Sequence, residues 1–188
     1  TPPDETTSTT TPPDETTSTT DPSETTGDPP VAVLPGPTKG SAIAVSPDGK
    51  TLAVANKATD DVTLFDLADP VAPVERARIT VGDEPVSVAW DSDGTSLYVV
   101  NRGSGELNRV DDADSDAPAI GATLDVGSEP IQVASSPTSA RLYVTSWVDG
   151  TLQVINGDTF APFLTVDLGG NPYAVCVTND GDEDDDDE

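Results

Sequence analysis

The chain has 188 residues, no histidine, one cysteine, and 35 acidic against 8 basic side chains, for a formal net charge of -27. That balance excludes DNA, RNA or anionic lipid held through phosphates, because such binding needs Lys and Arg to displace counterions. A lone Cys176 makes no intrachain disulfide or Cys-rich zinc site, and the missing histidine removes the usual general base, metal ligand and haem ligand.

The first residue is Thr and Met is absent throughout, as expected of a processed or trimmed product from which any signal peptide has gone. No apolar run reaches the ~20 residues that span a bilayer, so no membrane insertion by this chain is expected. Seven acids lie in residues 1–30 and seven in 182–188, yet the segment between them is acidic too. Such a surface suits high solubility, salt, or cationic partners.

Residues 1–20 are the decapeptide TPPDETTSTT twice over, and residues 21–30 add DPSETTGDPP. With no aliphatic or aromatic side chain, these thirty residues cannot offset the entropy of ordering, and they read as a disordered Thr/Pro/Ser-rich stalk. A spacer of this kind points to an exported protein, extracellular, at the cell surface or periplasmic, tethered through its N-terminus, as in a lipoprotein.

From residue 31 short β-branched runs alternate with polar residues and are punctuated by Gly, Pro, Asp and Asn, the signal of strands and turns. No stretch keeps a 3.6-residue period, so helix is expected to be nearly absent. Residues 31–34 form a first strand candidate. Then SAIAVSPDGKTLAVAN (41–56) returns as VSVAWDSDGTSLYVVN (86–101), as IQVASSPTSARLYVTS (131–146) and as YAVCVTNDG (173–181), at offsets of 45, 45 and 42 residues. The match continues through DVTLFD, ELNRVD and TLQVIN and closes on ARITVGDEP, ATLDVGSEP and LTVDLGGNP. A period of ~40–45 residues with four strands per unit is the signature of β-propeller blades.

The repeats run over about 41–85, 86–130, 131–172 and 173–181. The fold class is therefore all-β: blades of four antiparallel strands, three full repeats plus a split partial blade. The whole is an incomplete or open propeller between a disordered stalk and an acidic tail at 182–188. The partial blade is expected to use 31–34 as an outer strand and 173–178 as the inner one. Ile43, Val88, Val133 and Val175 align in the innermost strand. Ala44, Ala89, Ala134 and Cys176 follow, small enough for neighbouring blades to approach, which makes Cys176 a buried apolar residue. Asp48 and Asp93 sit in tight connections and read as turn formers.

At these residues the chain resembles the YVTN-type β-propeller repeat, seen here as GDEPVSVAWDSDGTSLYVVN and GSEPIQVASSPTSARLYVTS. The resemblance covers about 31–181 and implies a platform of exported or surface-associated bacterial and archaeal proteins, with no fixed chemistry. It implies that the loops joining fourth to first strands and second to third strands open on one face, the usual ligand face. The fourth-to-first loops place Glu84, Glu129 and Asn171 at equivalent points around the axis, either to hold a cation or amine or to turn the chain. The second-to-third loops contribute Lys57, Arg102 and Trp147, with Trp147 the leading contact residue.

The acidic tail lacks the downstream Glu of a calcium loop, so no cofactor is expected beyond weakly held calcium or another divalent cation. With no histidine and no nucleophile–base motif, the residues argue against catalysis by this chain alone. The expected function is a non-catalytic, exported module that presents an acidic propeller face to a protein or small-molecule ligand, cationic ones included. Alternatives are a piece of a propeller enzyme, lactonase- or lyase-like and metal-dependent, or a surface-layer or filament component. A homo-oligomer is one way to complete the ring.

Overall fold

A computed structural model describes residues 38–39 and 41–178. The stalk at 1–30, the strand candidate at 31–34 and the tail at 182–188 lie outside the described residues. Each full repeat folds into one antiparallel four-stranded sheet, its strands in sequence order. The first blade is β2 (Ile43–Val45), β3 (Thr51–Asn56), β4 (Asp61–Asp66) and β5 (Val74–Thr80). The second is β6 (Pro85–Trp90), β7 (Leu97–Asn101), β8 (Glu106–Asp111) and β9 (Ala119–Asp125). The third is β10 (Pro130–Ser135), β11 (Arg141–Ser146), β12 (Thr151–Asn156) and β13 (Ala161–Asp167). No helix occurs among the described residues.

The repeat is geometric as well as sequential. The third-to-fourth strand pairing shifts register at Leu64/Phe65, Arg109/Val110 and Val154/Ile155, equivalent places in the three blades. Such recurrent bulges add twist to each blade. The expected turn role of Asp48 is met: its carboxylate accepts from the Ser46 hydroxyl at 2.7 Å and from the Lys50 amide at 3.0 Å.

Neighbouring blades pack face to face, and the alternation of side chains divides the core accordingly. Val88, Trp90, Leu97, Val99 and Val110 of the second blade meet Val62, Leu64 and Ile79 of the first. Ala89, Tyr98, Val100 and Leu107 leave the other face of the same sheet and meet Val133, Leu142, Val144 and Ile155 of the third. The middle blade is thus buried on both faces, and every residue of β7 is buried. The outer blades each have one open face: Ile43 is 54% exposed where its counterparts Val88 and Val133 are fully buried, and all of β13 is exposed.

One amide donor recurs from blade to blade at the inner strands, each time with an acceptor on the preceding inner strand or just before it. The Val88 amide donates to the Ser41 carbonyl at 2.8 Å, the Val133 amide to Ser87 Oγ at 3.3 Å, and the Val175 amide to Gln132 Oε1 at 2.7 Å. A fourth inner strand is therefore seated like the others. It differs from the sequence expectation in two respects. Only β14 (Cys176–Val177) pairs, and its described partner is β1 (Thr38–Lys39), with Lys39 opposite Cys176. Cys176 is exposed and not buried. The alanines it aligns with are covered by a neighbouring sheet, and no four-stranded sheet among the described residues covers Cys176.

Candidate functional site

Antiparallel strands put the second-to-third and fourth-to-first connections at the same end of every blade. At that end the backbone repeats a left-handed turn. Asp60, Gly105 and Gly150 occupy equivalent positions with φ of 55°, 74° and 66°. Their carbonyls accept from the amides of Val81, Val126 and Leu168 at 2.9, 3.0 and 2.9 Å, which anchors the start of each following loop. A Cβ on Gly105 would meet the Gly127 carbonyl oxygen at 2.8 Å, so glycine serves both conformation and close approach there.

The following loops then turn sharply into the inner strands. Glu84 and Glu129, each just before a proline, hold φ of 52° and 50°, a region few non-glycine residues adopt. The Glu84 amide donates to Asp60 Oδ1 at 2.9 Å and the Ser128 amide to Asp149 Oδ2 at 2.7 Å.

All six residues singled out from sequence lie in these two loop sets, and the structure brings them together in pairs. Lys57 Nζ lies 3.1 Å from Glu84 Oε2, and Arg102 Nη2 lies 2.6 Å from Glu129 Oε2. Asn171 Nδ2 donates to the Trp147 carbonyl at 2.7 Å. Backbone bonds link one pair to the next: the Arg102 amide donates to the Glu84 carbonyl and the Trp147 amide to the Glu129 carbonyl, both at 2.9 Å. Glu84, Glu129 and Asn171, expected either to hold a cation or amine or to turn the chain, are each engaged by a residue of this chain. Each faces a partner from the preceding loop, because the loops interleave around the mouth. No three His, Cys, Asp or Glu side chains stand together as a metal set among the described residues. The hydrogen bond and charge of Glu129, then the charge of Glu84, push the Arg102 guanidinium above its ordinary value, so it is a permanent cation.

Beside this chain of pairs the inner strands enclose a cavity of about 410 Å³, lined by Val86, Ser87, Arg102, Ile131, Gln132 and Tyr173 among others. Tyr173 is 73% exposed and meets Trp147 edge-on, centroids 6.0 Å apart. Sequence reasoning missed Ser87, Gln132 and Tyr173. A signal existed: the two columns before the constant Val88/Val133/Val175 column vary in size and polarity, as lining positions do.

Blades joined through an axial mouth of paired loops define a β-propeller protein. The residues match a family model described as lactonase, seven-bladed β-propeller, over residues 6–111, and the chain belongs to that family. Among solved structures it is similar to a hydrazine synthase chain of Kuenenia stuttgartiensis (27% identity, TM-score 0.62, 74% of this chain and 38% of that one). It is also similar to a periplasmic gluconolactonase of Pseudomonas aeruginosa (18%, TM-score 0.63, 74% and 42%) and to AztD of Citrobacter koseri (18%, TM-score 0.53, 69% and 35%). The chain thus spans 35–42% of the length of these solved chains. No curated protein matches it.

Proposed function

We propose that this chain contributes blades to a lactonase-type propeller and that its axial cavity takes a cyclic ester of a sugar acid. Family membership supports the reaction class. The observation that carries the reading is Arg102, a fixed cation at the wall of the axial cavity, held by Glu129 and flanked by Glu84. In lactone hydrolysis water adds to the ring carbonyl, the ring C–O bond breaks, and a hydroxy acid leaves. Arg102 is suited to the oxygen that becomes negative as water adds. Tyr173 and Trp147 offer apolar faces to the sugar ring, and Ser87 and Gln132 offer polar contacts. A seven-bladed ring has blades beyond the three described, and these would close the cavity.

A second reading is a binding face without catalysis, the role expected from sequence. It is favoured by the engagement of both mouth carboxylates in ion pairs, which leaves neither as an obvious base. The stalk and the likeness to a periplasmic gluconolactonase support export in either reading. The test is acid release from glucono-1,5-lactone by the full chain, compared with the spontaneous rate. Turnover above background that falls at least about 100-fold in Arg102→Ala supports the first reading. Background rates with saturable quenching of Trp147 fluorescence support the second. Neither turnover nor quenching overturns both.

A further inference from the structure

The geometry points to a second ligand site, for a neutral polyhydroxylated molecule such as a monosaccharide, in the cleft between the second and third blades at the end opposite the axial mouth. It stands apart from the reading above and uses none of its residues.

The cleft is a cavity of about 270 Å³ formed by the first-to-second turns of both blades and the third-to-fourth loop of the third. At ~30 Å³ per water it holds the volume of about nine waters, the scale of one sugar ring. Tyr98 lines it and is 5% exposed. The ring is fixed: it stacks on Phe160, centroids 6.2 Å apart, and Arg109, tied to Asp111 at 2.6 Å, lies over the same Phe160 ring. Among the described residues the Tyr98 hydroxyl has no hydrogen-bond partner. Gly157 keeps its surroundings clear, since a Cβ there would stand 3.2 Å from that oxygen. The ring is buried while its hydroxyl faces the cavity, so a rigidly held donor is presented to whatever enters it.

The corresponding junction of the first and second blades is filled. Ala53 stands where Tyr98 does and Ala113 is fully buried there. Arg76 closes the gap with bonds to the carbonyls of Ala113 and Asp114. The open cleft is therefore a property of one junction and not of the repeat.

The lining chooses the ligand. Asp93 and Asp158, both exposed, offer carboxylates on the same cavity wall as the Tyr98 donor. Arg141, stacked 3.9 Å above the Phe163 ring, has a buried Nη1 that likewise lacks an acceptor. Ser136 and Ser139 complete a wall that is polar where small-molecule pockets are mostly apolar. An anion would face these carboxylates and a chain of net charge -27. Vicinal hydroxyls satisfy donors and acceptors together without adding charge. Burial first, then the Asp91 charge, push Tyr98 up to about 12 against the opposing charge of Arg109, so the phenol keeps its proton as a donor.

The test is NMR titration of the full chain with glucose, galactose, mannose, xylose and arabinose, alongside gluconate and glucosamine as charged analogues. The expected result is saturable binding of at least one neutral sugar, with shifts at Gly157 and Asp158. In Tyr98→Phe that binding weakens about tenfold while the melting curve is kept, because only the hydroxyl is lost. Gly157→Ala, which intrudes on the hydroxyl, weakens it as well. The inference is overturned if no neutral sugar saturates, if gluconate binds more tightly than all of them, if the shifts fall at Arg102 and Tyr173, or if Tyr98→Phe binds like the parent.

Discussion

Truncating Leu107 tests the claim that the second blade is a two-sided sheet between partners. Leu107 is fully buried in the cluster with Val133, Leu142 and Ile155 of the third blade. Leu107→Ala removes its isopropyl group and leaves a cavity, with an expected cost of about 2–5 kcal/mol. For a chain of this size each kcal/mol shifts the melting temperature by roughly 2–4 °C, so a loss near ~3 kcal/mol lowers it by about 6–12 °C. Leu164→Ala makes the same chemical change on the open face, where Leu164 is 51% exposed, and should stay within about 0.5 kcal/mol. Leu97→Ala, on the other face of the middle blade and in the other cluster, should cost as much as Leu107→Ala and add to it. Urea unfolding followed by tryptophan fluorescence measures all three. If Leu164→Ala costs as much as Leu107→Ala, the third blade is covered in solution and the reasoning from one open face fails.

Three further outcomes are expected. Burial works against the charge of Asp61, but bonds from Asn56 and Thr59 and the positive charge of Arg78 outweigh it and hold the carboxyl below its ordinary value. A depressed carboxylate adds stability above its unfolded value, 3.8, that is lost as pH falls below it, so Asp61→Asn should lose stability near neutrality and flatten the acid limb in urea unfolding at several pH values. Tyr98 has the opposite sign: a raised phenol contributes fully below its ordinary value of 10.0 and loses that contribution as pH climbs toward about 12. An ultraviolet absorbance titration should contain one late phenol that Tyr98→Phe removes. Gly105→Ala should cost about 1–3 kcal/mol by thermal melting, because φ is 74° and the new Cβ would press on the Gly127 carbonyl.

Much of this architecture is legible in the sequence because the blade is a local unit. The apolar columns, the tight turns and the 45-residue interval each reflect contacts within one sheet or with the next. Cys176 misleads because its column predicts burial only when a neighbouring sheet is present. The pairing of loop residues was within reach, since Lys57/Glu84 and Arg102/Glu129 carry opposite charges at a constant separation of 27 residues. The third pair hides the rule, because Asn171 bonds a carbonyl that any residue at position 147 would supply. Tyr98 is not legible as a site residue. It occupies an ordinary strand position, and only the packing of Phe160 and the space beside Gly157 distinguish it from Tyr143 in the next blade.

The interleaved loops also bear on how such a chain grows by duplication. Lys57 and Glu84 lie within one copy of the repeat, as do Arg102 and Glu129. A tandem copy of about 45 residues therefore carries a matched charge pair with it. The joints between copies at this rim are made mostly by main-chain amides: Arg102 on Glu84, Trp147 on Glu129, Ser128 on Asp149, and Gly82 on Asn108 Oδ1 at 3.1 Å, with the Ser146 hydroxyl donating to the Val126 carbonyl beside them. Complementarity is internal to the module, and at the seam most donors are main-chain amides, with Gly82 kept small because a Cβ there would collide with Ser104 and stand 2.9 Å from the Asn101 side chain. A recombination boundary placed just before the inner strand would leave each charge pair intact, so modules can diverge in their lining residues as long as Gly82 and the Ser146 hydroxyl are kept at the seam.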